Sequence, residues 1–221
     1  MALFVSEVVT GMNKKNMGIE AGLEYQLTST VKVTGVAAYG DYTITNNPNV
    51  RLTNDASSTV INYGETKLAG LKQSGMPQKA YSVGIEYRAP KFWWISLNAN
   101  YLSDNYLDVS SIKRTDNFYT NIDNTGLTID QTLADSYLKQ EKFDSFYLFN
   151  LIGGKTWRIK GKTLGLFAVA NNIFDLTYKT GGFEQSRNAT YRQEFEDHQS
   201  TGASVFAPKY FYGYGRTFMV N

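Results

Sequence analysis

The sequence contains no cysteine, only one histidine and four prolines, and no long hydrophobic run among its 221 residues. The absence of cysteine excludes disulfide frameworks, thiolate zinc sites and cysteine nucleophiles, and it is compatible with an oxidising compartment. No stretch approaches the roughly 20 consecutive apolar residues that a transmembrane helix requires. A helical membrane protein is therefore excluded.

The single histidine, His198, limits the metal and acid–base chemistry that the chain can perform. It lies beside Glu196 and Asp197, but no second imidazole is present to complete a typical zinc site. A Ser-His-Asp hydrolase would need the same histidine as its base, and the sequence has no Gly-x-Ser-x-Gly elbow. We therefore expect no catalytic residue, no metal and no cofactor, and we expect that the protein is not an enzyme.

Charge is nearly balanced, with 22 basic and 20 acidic residues and a net charge of +2. The charges are scattered, so no basic stripe predicts a nucleic-acid partner. The first residues, MALFVSEVV, have neither a basic region before an apolar core nor a small-residue cleavage site. They do not form a secretory signal peptide, and we expect any export signal to lie upstream of this chain.

The sequence is rich in aromatic residues and glycine, and its apolar and polar side chains alternate. Aromatic residues make up 14% of the chain and glycine occurs 19 times, a composition that favours strands and turns. Apolar and polar residues alternate with period two, which predicts strands with one apolar face. About eight strands are predicted, at Leu3–Thr10, Met17–Leu27, Val31–Ile44, Tyr81–Ala89, Trp93–Tyr101, Phe146–Ile159, Leu164–Tyr178 and Tyr210–Asn221.

The predicted connections alternate between short turns and long polar segments. The short ones are Thr28–Thr30, Pro90–Lys91 and Lys160–Lys162, and the long ones are Asn46–Gln78, Ser110–Asp144 and Ser186–Pro208. Loops of that length without secondary structure are uncommon in compact domains, but a transmembrane barrel has short periplasmic turns and long outer loops. The segment Met12–Asn16 is the exception, because it is short but falls on the long-loop side.

The apolar face of these strands has the length and the aromatic ends that a lipid-facing surface requires. Trp93 and Tyr101 are about 26 Å apart along one strand, at ~3.3 Å per residue. Because barrel strands are tilted, the height between the two rings is somewhat less than the ~25 Å apolar band of an outer-membrane barrel. Aromatic rings favour the headgroup level. A soluble sandwich with this face as its core is the alternative, which the long strands and alternating loops disfavour.

The period-two pattern therefore predicts two sets of side chains on opposite faces. The set predicted to face lipid is Ile19, Leu23, Val83, Ile85, Ile95 and Leu97. The set predicted to face a wet lumen is Glu20, Glu24, Glu86 and Asn98.

Several segments resemble the barrel of TonB-dependent receptors, especially those with a carboxypeptidase-like regulatory domain before the plug. Residues 168–193 are similar to the penultimate strand and last outer loop of that family. Within them, Asn172-Ile173-Phe174-Asp175 followed by Tyr178 resembles an Asn-Leu-Phe-Asp…Tyr pattern. Supporting similarities lie at Met12–Thr28, Trp93–Tyr119 and Lys209–Asn221.

The resemblance implies an all-β fold, an antiparallel transmembrane β-barrel segment of about eight strands in the outer membrane of a Gram-negative bacterium. Such receptors have about 22 strands around a plug and a TonB-contacting box, and neither plug nor box is found here. Residues 1–221 are thus expected to be the C-terminal third of a barrel. The chain stops at Asn221 without the usual terminal aromatic residue, so truncation at both ends is expected.

The partners implied are outer-membrane lipid, the plug and remaining barrel of a parent chain, and the TonB complex through that parent. The implied function is TonB-driven import of a large nutrient, such as a metal chelate, glycan or peptide. A complete eight-stranded barrel acting as an anchor or adhesin is the alternative, although its lumen would be filled by side chains.

Aromatic and basic residues in the predicted outer loops are suited to stacking on or clamping a ligand. The candidate ligand-binding residues are Tyr63, Phe118, Tyr119, Phe183, Arg187, Tyr191 and Arg192. The segment Gly181–Gln199 in particular is expected to touch the ligand. The same aromatic residues could instead fold each loop onto itself, and we regard this second interpretation as the stronger.

Two further features have more than one interpretation. Glu86 and Arg88 lie two residues apart on one strand face, where they could pair in the lumen, hold a plug or simply be solvated. Gly181-Gly182 and the Gly213-x-Gly215 pair lack the strand-to-helix context of a phosphate loop. Strand flexibility or close packing is the prediction for these glycines.

Overall fold

The computed structural model of the chain describes residues 5–54, 59–120, 127–185 and 190–221. These residues form twelve strands, two α-helices and two 3₁₀ helices. The strands are β1 (Val5–Thr10), β2 (Lys14–Gln26), β3 (Val31–Ile44), β4 (Asn49–Asn54), β5 (Thr59–Glu65), β6 (Lys79–Ala89), β7 (Trp93–Ser103), β8 (Phe146–Ile159), β9 (Lys162–Asn171), β10 (Lys179–Phe183), β11 (Lys209–Tyr212) and β12 (Thr217–Val220). The α-helices are α1 (Gln131–Leu138) and α2 (Tyr191–Thr201), and the 3₁₀ helices are Ile112–Arg114 and Asp116–Tyr119.

Seven of the strands form one antiparallel sheet, the large sheet, in the order β12-β9-β8-β7-β6-β3-β2. The all-β, antiparallel fold class predicted from the sequence is confirmed. Five of the predicted strands, now β2, β3, β6, β7 and β8, are present with ends within three residues of the prediction. Within the described part of the chain, β2 and β12 are the two edges of this sheet.

Three tight turns join neighbouring strands at one end of the large sheet, which we call the turn end. In the first turn, Thr28 Oγ1 accepts hydrogen bonds from the backbone N–H groups of Thr30 and Val31, at 3.2 and 3.0 Å. In the third, Lys160 and Gly161 have positive φ angles of 49° and 77°, as in a two-residue type I′ hairpin. The opposite end, from which the long connections leave, is the loop end.

The strand predicted at Leu3–Thr10 is present as β1 over its described residues, but it does not join the large sheet. Its described residues pair with β4, which also pairs with β5 in a three-stranded sheet, the small sheet. Thr10 lies opposite Asn49, and Lys14 lies opposite Ile44. The chain therefore runs in one direction through β1 and β2, and in the opposite direction through β3 and β4.

The predicted turn at Met12–Asn16 is accordingly a break between two collinear strands, not a reversal of the chain. Asn46 Oδ1 accepts a hydrogen bond from the Asn13 N–H group, and Asn46 Nδ2 donates one to the Gly11 carbonyl, both at 2.7 Å. Gly11 has a φ of 77°, which a residue without Cβ adopts at no steric cost. Asn46 thus replaces the ladder hydrogen bonds across the break.

The long connections carry secondary structure that the sequence pattern did not reveal. Strands β4 and β5 fall within Asn46–Gln78, α1 within Ser110–Asp144 and α2 within Ser186–Pro208. Both helices begin at a side-chain cap: Asp130 accepts from the N–H groups at the start of α1, and Thr190 does so for α2. Such caps satisfy backbone donors that the first turn of a helix leaves free.

The last two predicted strands differ from the prediction in extent. The strand predicted at Leu164–Tyr178 is β9, which ends at Asn171, and β10 begins only at Lys179. The strand predicted at Tyr210–Asn221 is divided into β11 and β12. Asn172 lies in the first break with a φ of 49°, a left-handed conformation that asparagine tolerates better than most residues. Its Nδ2 atom donates to the carbonyls of Leu176 at 2.8 Å and Tyr214 at 3.2 Å. One amide side chain therefore joins the two breaks.

Gly213 and Gly215 allow the second break to pack closely against the first. A Cβ atom on Gly213 would lie 2.0 Å from Cζ of Tyr178, and one on Gly215 would lie 2.8 Å from Oδ1 of Asp175. The Gly213 N–H group donates to the Tyr178 carbonyl at 3.0 Å. The close-packing interpretation of this glycine pair is therefore confirmed. The Asn-Ile-Phe-Asp…Tyr segment acts here as a hydrogen-bonded break in the sheet.

The large sheet has one apolar face and one polar face. Residues directly opposite each other in an antiparallel pair share a face: Ile85 lies opposite Leu97, whereas Gly84 lies opposite Asn98. The register across β2, β3, β6 and β7 places the two predicted sets on opposite faces, which confirms that prediction. The six apolar residues of the first set are 37% to 71% exposed, so this face is uncovered.

We predict that Gly213→Ala destabilises the protein by about 1–3 kcal/mol, because the added Cβ overpacks against the Tyr178 ring. Gly165→Ala is the matched control, since a Cβ on Gly165 in β9 would meet no atom within 4 Å. Urea unfolding followed by tryptophan fluorescence measures the stability of both variants. Equal midpoints for the two variants would contradict the packing described for this break.

Candidate functional site

Two of the long connections fold together at the loop end into a small unit, the loop cap, defined as residues 105–120, 127–144, 184–185 and 190–208. Its core consists of Phe118, Ala134 and Tyr191, all with 0% exposure. The Phe118 and Tyr191 rings meet edge to face, with centroids 6.1 Å apart. The Tyr191 hydroxyl accepts a hydrogen bond from the Asp130 N–H group at 3.1 Å, which ties the start of α2 to the start of α1.

A buried arginine–carboxylate pair also connects the two halves of the loop cap. Arg114 Nη1 and Nη2 donate to the two carboxylate oxygens of Glu184 at 2.5 and 2.9 Å, and the side chains are only 3% and 8% exposed. The same guanidinium donates to the Leu138 carbonyl at 2.8 Å and the Ser110 carbonyl at 3.2 Å. A two-pronged geometry with further hydrogen bonds is what a buried pair needs to offset the loss of solvent.

A second ion pair lies beside the first. Lys113 Nζ is 2.7 Å from Glu194 Oε1, and both side chains are about one-tenth exposed. Lys113 belongs to the first 3₁₀ helix and Glu194 to the first turn of α2. Two neighbouring residues, Lys113 and Arg114, therefore anchor the connection after β10 onto the connection after β7.

A cleft of about 710 Å³ lies between β1 and the loop cap. Its lining combines an aromatic ring, a lysine, three carboxylates and serine hydroxyls. The lining residues are Glu7, Val9, Met12, Asp108, Val109, Ser110, Ser111, Phe183, Glu184, Gln185 and Lys209. Phe183 is 39% exposed and lies opposite Lys209 in the β10–β11 pair. An apolar ring beside charged and hydrogen-bonding groups can fix the orientation of a polar ligand.

His198 lies in helix α2 and has structural contacts on both sides. Its Nδ1 atom is 2.7 Å from the Glu194 carbonyl oxygen, and its ring centroid is 4.7 Å from that of Tyr137. Burial raises the pKa of the Tyr137 hydroxyl, and the nearby Tyr191 and Glu194 raise it further. His198, Tyr137 and Glu194 line a second cleft of about 280 Å³.

The structure does not bring the candidate ligand-binding residues together into one site. Phe118 and Tyr191 are buried in the loop cap, and Tyr119 packs on its edge with the Lys67 ammonium 5.7 Å from its ring centroid. Phe183 lines the large cleft. The loop aromatics thus pack on one another across two loops, which resembles the alternative that we favoured from the sequence.

The remaining candidates lie elsewhere on the surface. Tyr63 is half-buried in β5 of the small sheet. Arg192 lies on α2, where its Nε atom is 2.7 Å from Glu196 Oε1 in a largely exposed pair. Arg187 lies outside the described residues, so its part in the site stays a prediction.

The charged residues that hold the loops together and line the cleft were not predictable from the sequence. Arg114 and Glu184 are 70 positions apart, and Lys113 and Glu194 are 81 positions apart. No local spacing signals such pairs. The adjacent basic residues Lys113 and Arg114 in an otherwise polar loop were the one visible sign.

Glu86 and Arg88, by contrast, do pair on the polar face of the large sheet. Arg88 Nε is 2.5 Å from Glu86 Oε1, and the Arg88 guanidinium lies 5.4 Å from the Trp94 ring centroid. Lys32 and Glu24 form a second pair on this face at 3.2 Å. Both pairs are partly solvated, so they indicate a wet surface and not a packed core.

By its fold, the chain is an antiparallel β-sheet protein whose long connections form a cap at the loop end of the large sheet. Its structure is similar to the siderophore receptor PiuA from Acinetobacter baumannii, with a TM-score of 0.51 and 15% sequence identity, over 95% of this chain and 21% of that chain. A chain of the FpvAI–pyocin S2 complex gives a TM-score of 0.46 and 17% identity, over 96% of this chain and 20% of that one.

At such low identity, the likeness to PiuA concerns the fold alone. This chain spans about one-fifth of the length of both similar chains. No protein-family model matches the sequence, and no curated protein matches it. Within the ranges that the structure describes, neither helix is long and apolar enough to span a membrane.

We predict that Glu184→Gln opens the loop cap locally, because it leaves the buried Arg114 charge unpaired. Removing one member of a buried pair typically costs about 3–5 kcal/mol. Glu196→Gln is the control, since it breaks an exposed pair with Arg192 that contributes about 0–1 kcal/mol. Amide hydrogen exchange of residues 110–120 reports the opening free energy. Similar exchange in both variants would show that the buried pair does not hold the cap.

Proposed function

We propose that this chain is the wall and outer-loop part of a TonB-dependent outer-membrane receptor of a Gram-negative bacterium, which imports a large nutrient such as a metal chelate, glycan or peptide. The observation that carries the proposal is the uncovered apolar face of the large sheet. Monomeric soluble proteins rarely leave a continuous apolar surface of this extent exposed. Lipid would cover it.

The two ends of that face carry aromatic rings, as a lipid-facing surface requires. Near the loop end, Tyr101 is flanked by Tyr81 and Tyr147, with ring centroids 6.1 and 4.7 Å away. Near the turn end, the Tyr87 and Trp93 rings are 5.2 Å apart. Amphipathic rings favour the two interfaces of a membrane, and the strand length between these levels suits an outer-membrane barrel.

The polar face fits a water-filled interior better than a packed one. Its ion pairs, Glu24 with Lys32 and Glu86 with Arg88, are partly solvated. An eight-stranded barrel fills its lumen with side chains, so the anchor or adhesin alternative has less support. The edges β2 and β12 would pair with the remaining barrel of a parent chain, whose plug would lie against the polar face and whose TonB contact would drive transport.

Ligand contacts belong, in this proposal, to the cleft beside β1 and to the exposed loop residues. Phe183 offers a rigid ring, while Lys209 and Asp108 offer opposite charges within the same cleft. The likeness in fold to a protein described as a siderophore receptor makes a ferric chelate the first ligand to test. Arg187, Arg192 and Tyr63 remain proposed ligand contacts.

We predict that Leu97→Arg destabilises the membrane-inserted protein by about 2–4 kcal/mol, because a charge would face the middle of the lipid. Ser96→Arg is the matched control, since Ser96 lies on the polar face, directly opposite Glu86, and should be tolerated. Urea unfolding in lipid vesicles compares the two variants. Equal stability would contradict the assignment of the apolar face to lipid.

We predict that Phe183→Ala in the full-length receptor weakens ligand binding roughly ten- to hundred-fold, as expected for an anchor ring in a recognition site. Phe211→Ala is the control, because it removes the same ring contact, with centroids 5.9 Å apart, without removing a residue that lines the cleft. Calorimetry with a panel of ferric chelates, oligosaccharides and peptides identifies the ligand and measures both variants. Wild-type affinity for Phe183→Ala would remove the cleft from the binding site.

A further inference from the structure

Two groups of charged side chains, each with two lysines around one aspartate, lie at the loop end of the apolar face. In the first triad, Lys72 Nζ is 2.6 Å from Asp41 Oδ1 and Lys15 Nζ is 3.6 Å from Asp41 Oδ2. In the second triad, Lys79 Nζ is 2.7 Å from Asp104 Oδ2, and Lys142 pairs with Asp104 Oδ1. The same arrangement therefore occurs twice, once around Asp41 on β3 and once around Asp104 just after β7.

Both triads lie immediately beyond the tyrosines that border the apolar face. Asp41 follows Tyr39 by two residues on β3, so the two side chains share a face. Lys79 lies opposite Tyr39 in the β3–β6 pair, and its ammonium is 5.6 Å from the Tyr39 ring centroid. Because β6 separates β3 from β7, the aspartates of the two triads are about two strand spacings apart, roughly 10 Å.

Each triad has one positive charge more than it has negative charges. Hydrogen bonds from Lys142 and then Lys79 hold the pKa of Asp104 below its ordinary value, and Asp104 raises the pKa of Lys142. The neighbouring Glu141 is engaged by Lys179 Nζ at 2.9 Å. Even if the exposed Asp144 is counted with the four lysines and two aspartates, the charge of the region stays positive.

The aspartates fix the lysines in place but do not use all of their donors. An ammonium group has three N–H donors, and pairing with one carboxylate leaves donors for a second anion. The outer lysines, Lys15 and Lys142, are 48% and 53% exposed. Ammonium groups that are held in place by a carboxylate and still have free donors suit the oxygens of a phosphate group.

We propose that the two triads bind phosphate groups of lipid headgroups in the membrane leaflet at the loop end. The inference rests on the proposed function, since it requires the apolar face to meet lipid. The triads then lie at headgroup height, where a lipid phosphate is held next to them while its acyl chains cover the apolar residues below. Basic groups at a membrane surface attract anionic lipids in this way.

The test uses the full-length receptor in phosphatidylcholine nanodiscs that contain phosphatidic acid, with bound lipid counted by native mass spectrometry. Lys15→Gln combined with Lys142→Gln removes the surplus charge but keeps the Asp41–Lys72 and Asp104–Lys79 pairs. We expect retention of phosphatidic acid to fall about ten- to thirty-fold, because each of the two lysines near the membrane surface contributes a factor of roughly ten or less. The corresponding double arginine variant should retain the lipid, which separates loss of charge from misfolding.

Lys91→Gln combined with Lys162→Gln is the matched control, because it removes the same charge at the turn end. Retention by the control should match the wild type. Equal retention by the Lys15 and Lys142 double glutamine variant, or equal loss in the control, would overturn the proposal. Displacement of the lipid by inorganic phosphate would also overturn it, in favour of a soluble anion. A receptor that does not insert at all would instead contradict the proposed function.

Discussion

The cross-strand register of the large sheet is the constraint on which the rest of the structure depends. Since successive side chains alternate between faces, a fixed register commits every residue of a strand at once. Ile85 opposite Leu97 places a whole series of apolar residues on one face. That face is uncovered in the described part of the chain, and this is why the proposed function assigns it to lipid.

The breaks in the strands allow the same sheet to carry a large cap. Asn46, between β3 and β4, forms hydrogen bonds to the break between β1 and β2. Asn172, between β9 and β10, forms one to the break between β11 and β12. In each case one amide side chain replaces missing ladder hydrogen bonds. The chain can thus continue in paired strands beyond the large sheet, and the connections can meet over its loop end.

The sequence was sufficient for features that depend on neighbouring residues. Period-two alternation predicted five strands of the large sheet and the two faces, because the pleat acts on every second residue. It could not predict that β1 pairs with β4, since that depends on Asn46, over thirty positions away. The end of β9 at Asn171 was also hidden, because Asn172 reads as an ordinary polar residue until its left-handed backbone is seen.

The candidate site was less predictable than the fold. Aromatic loop residues are compatible with binding and with packing, and burial separates Phe118 and Tyr191, which form a core, from Phe183, which lines a cleft. The charged pairs of Arg114 and Lys113 join segments far apart in the sequence, where no periodicity operates. Their geometry follows from the tertiary fold alone.

In the proposed function, the apolar face of the large sheet meets lipid and the opposite face meets water. Because the chain has no cysteine, single labels can be attached after Leu97→Cys or Ser96→Cys in the membrane-inserted protein. A fluorescent label at position 97 should be quenched by lipids with brominated acyl chains, and a label at position 96 by a water-soluble quencher. Equal quenching of both labels from the aqueous phase would contradict the account.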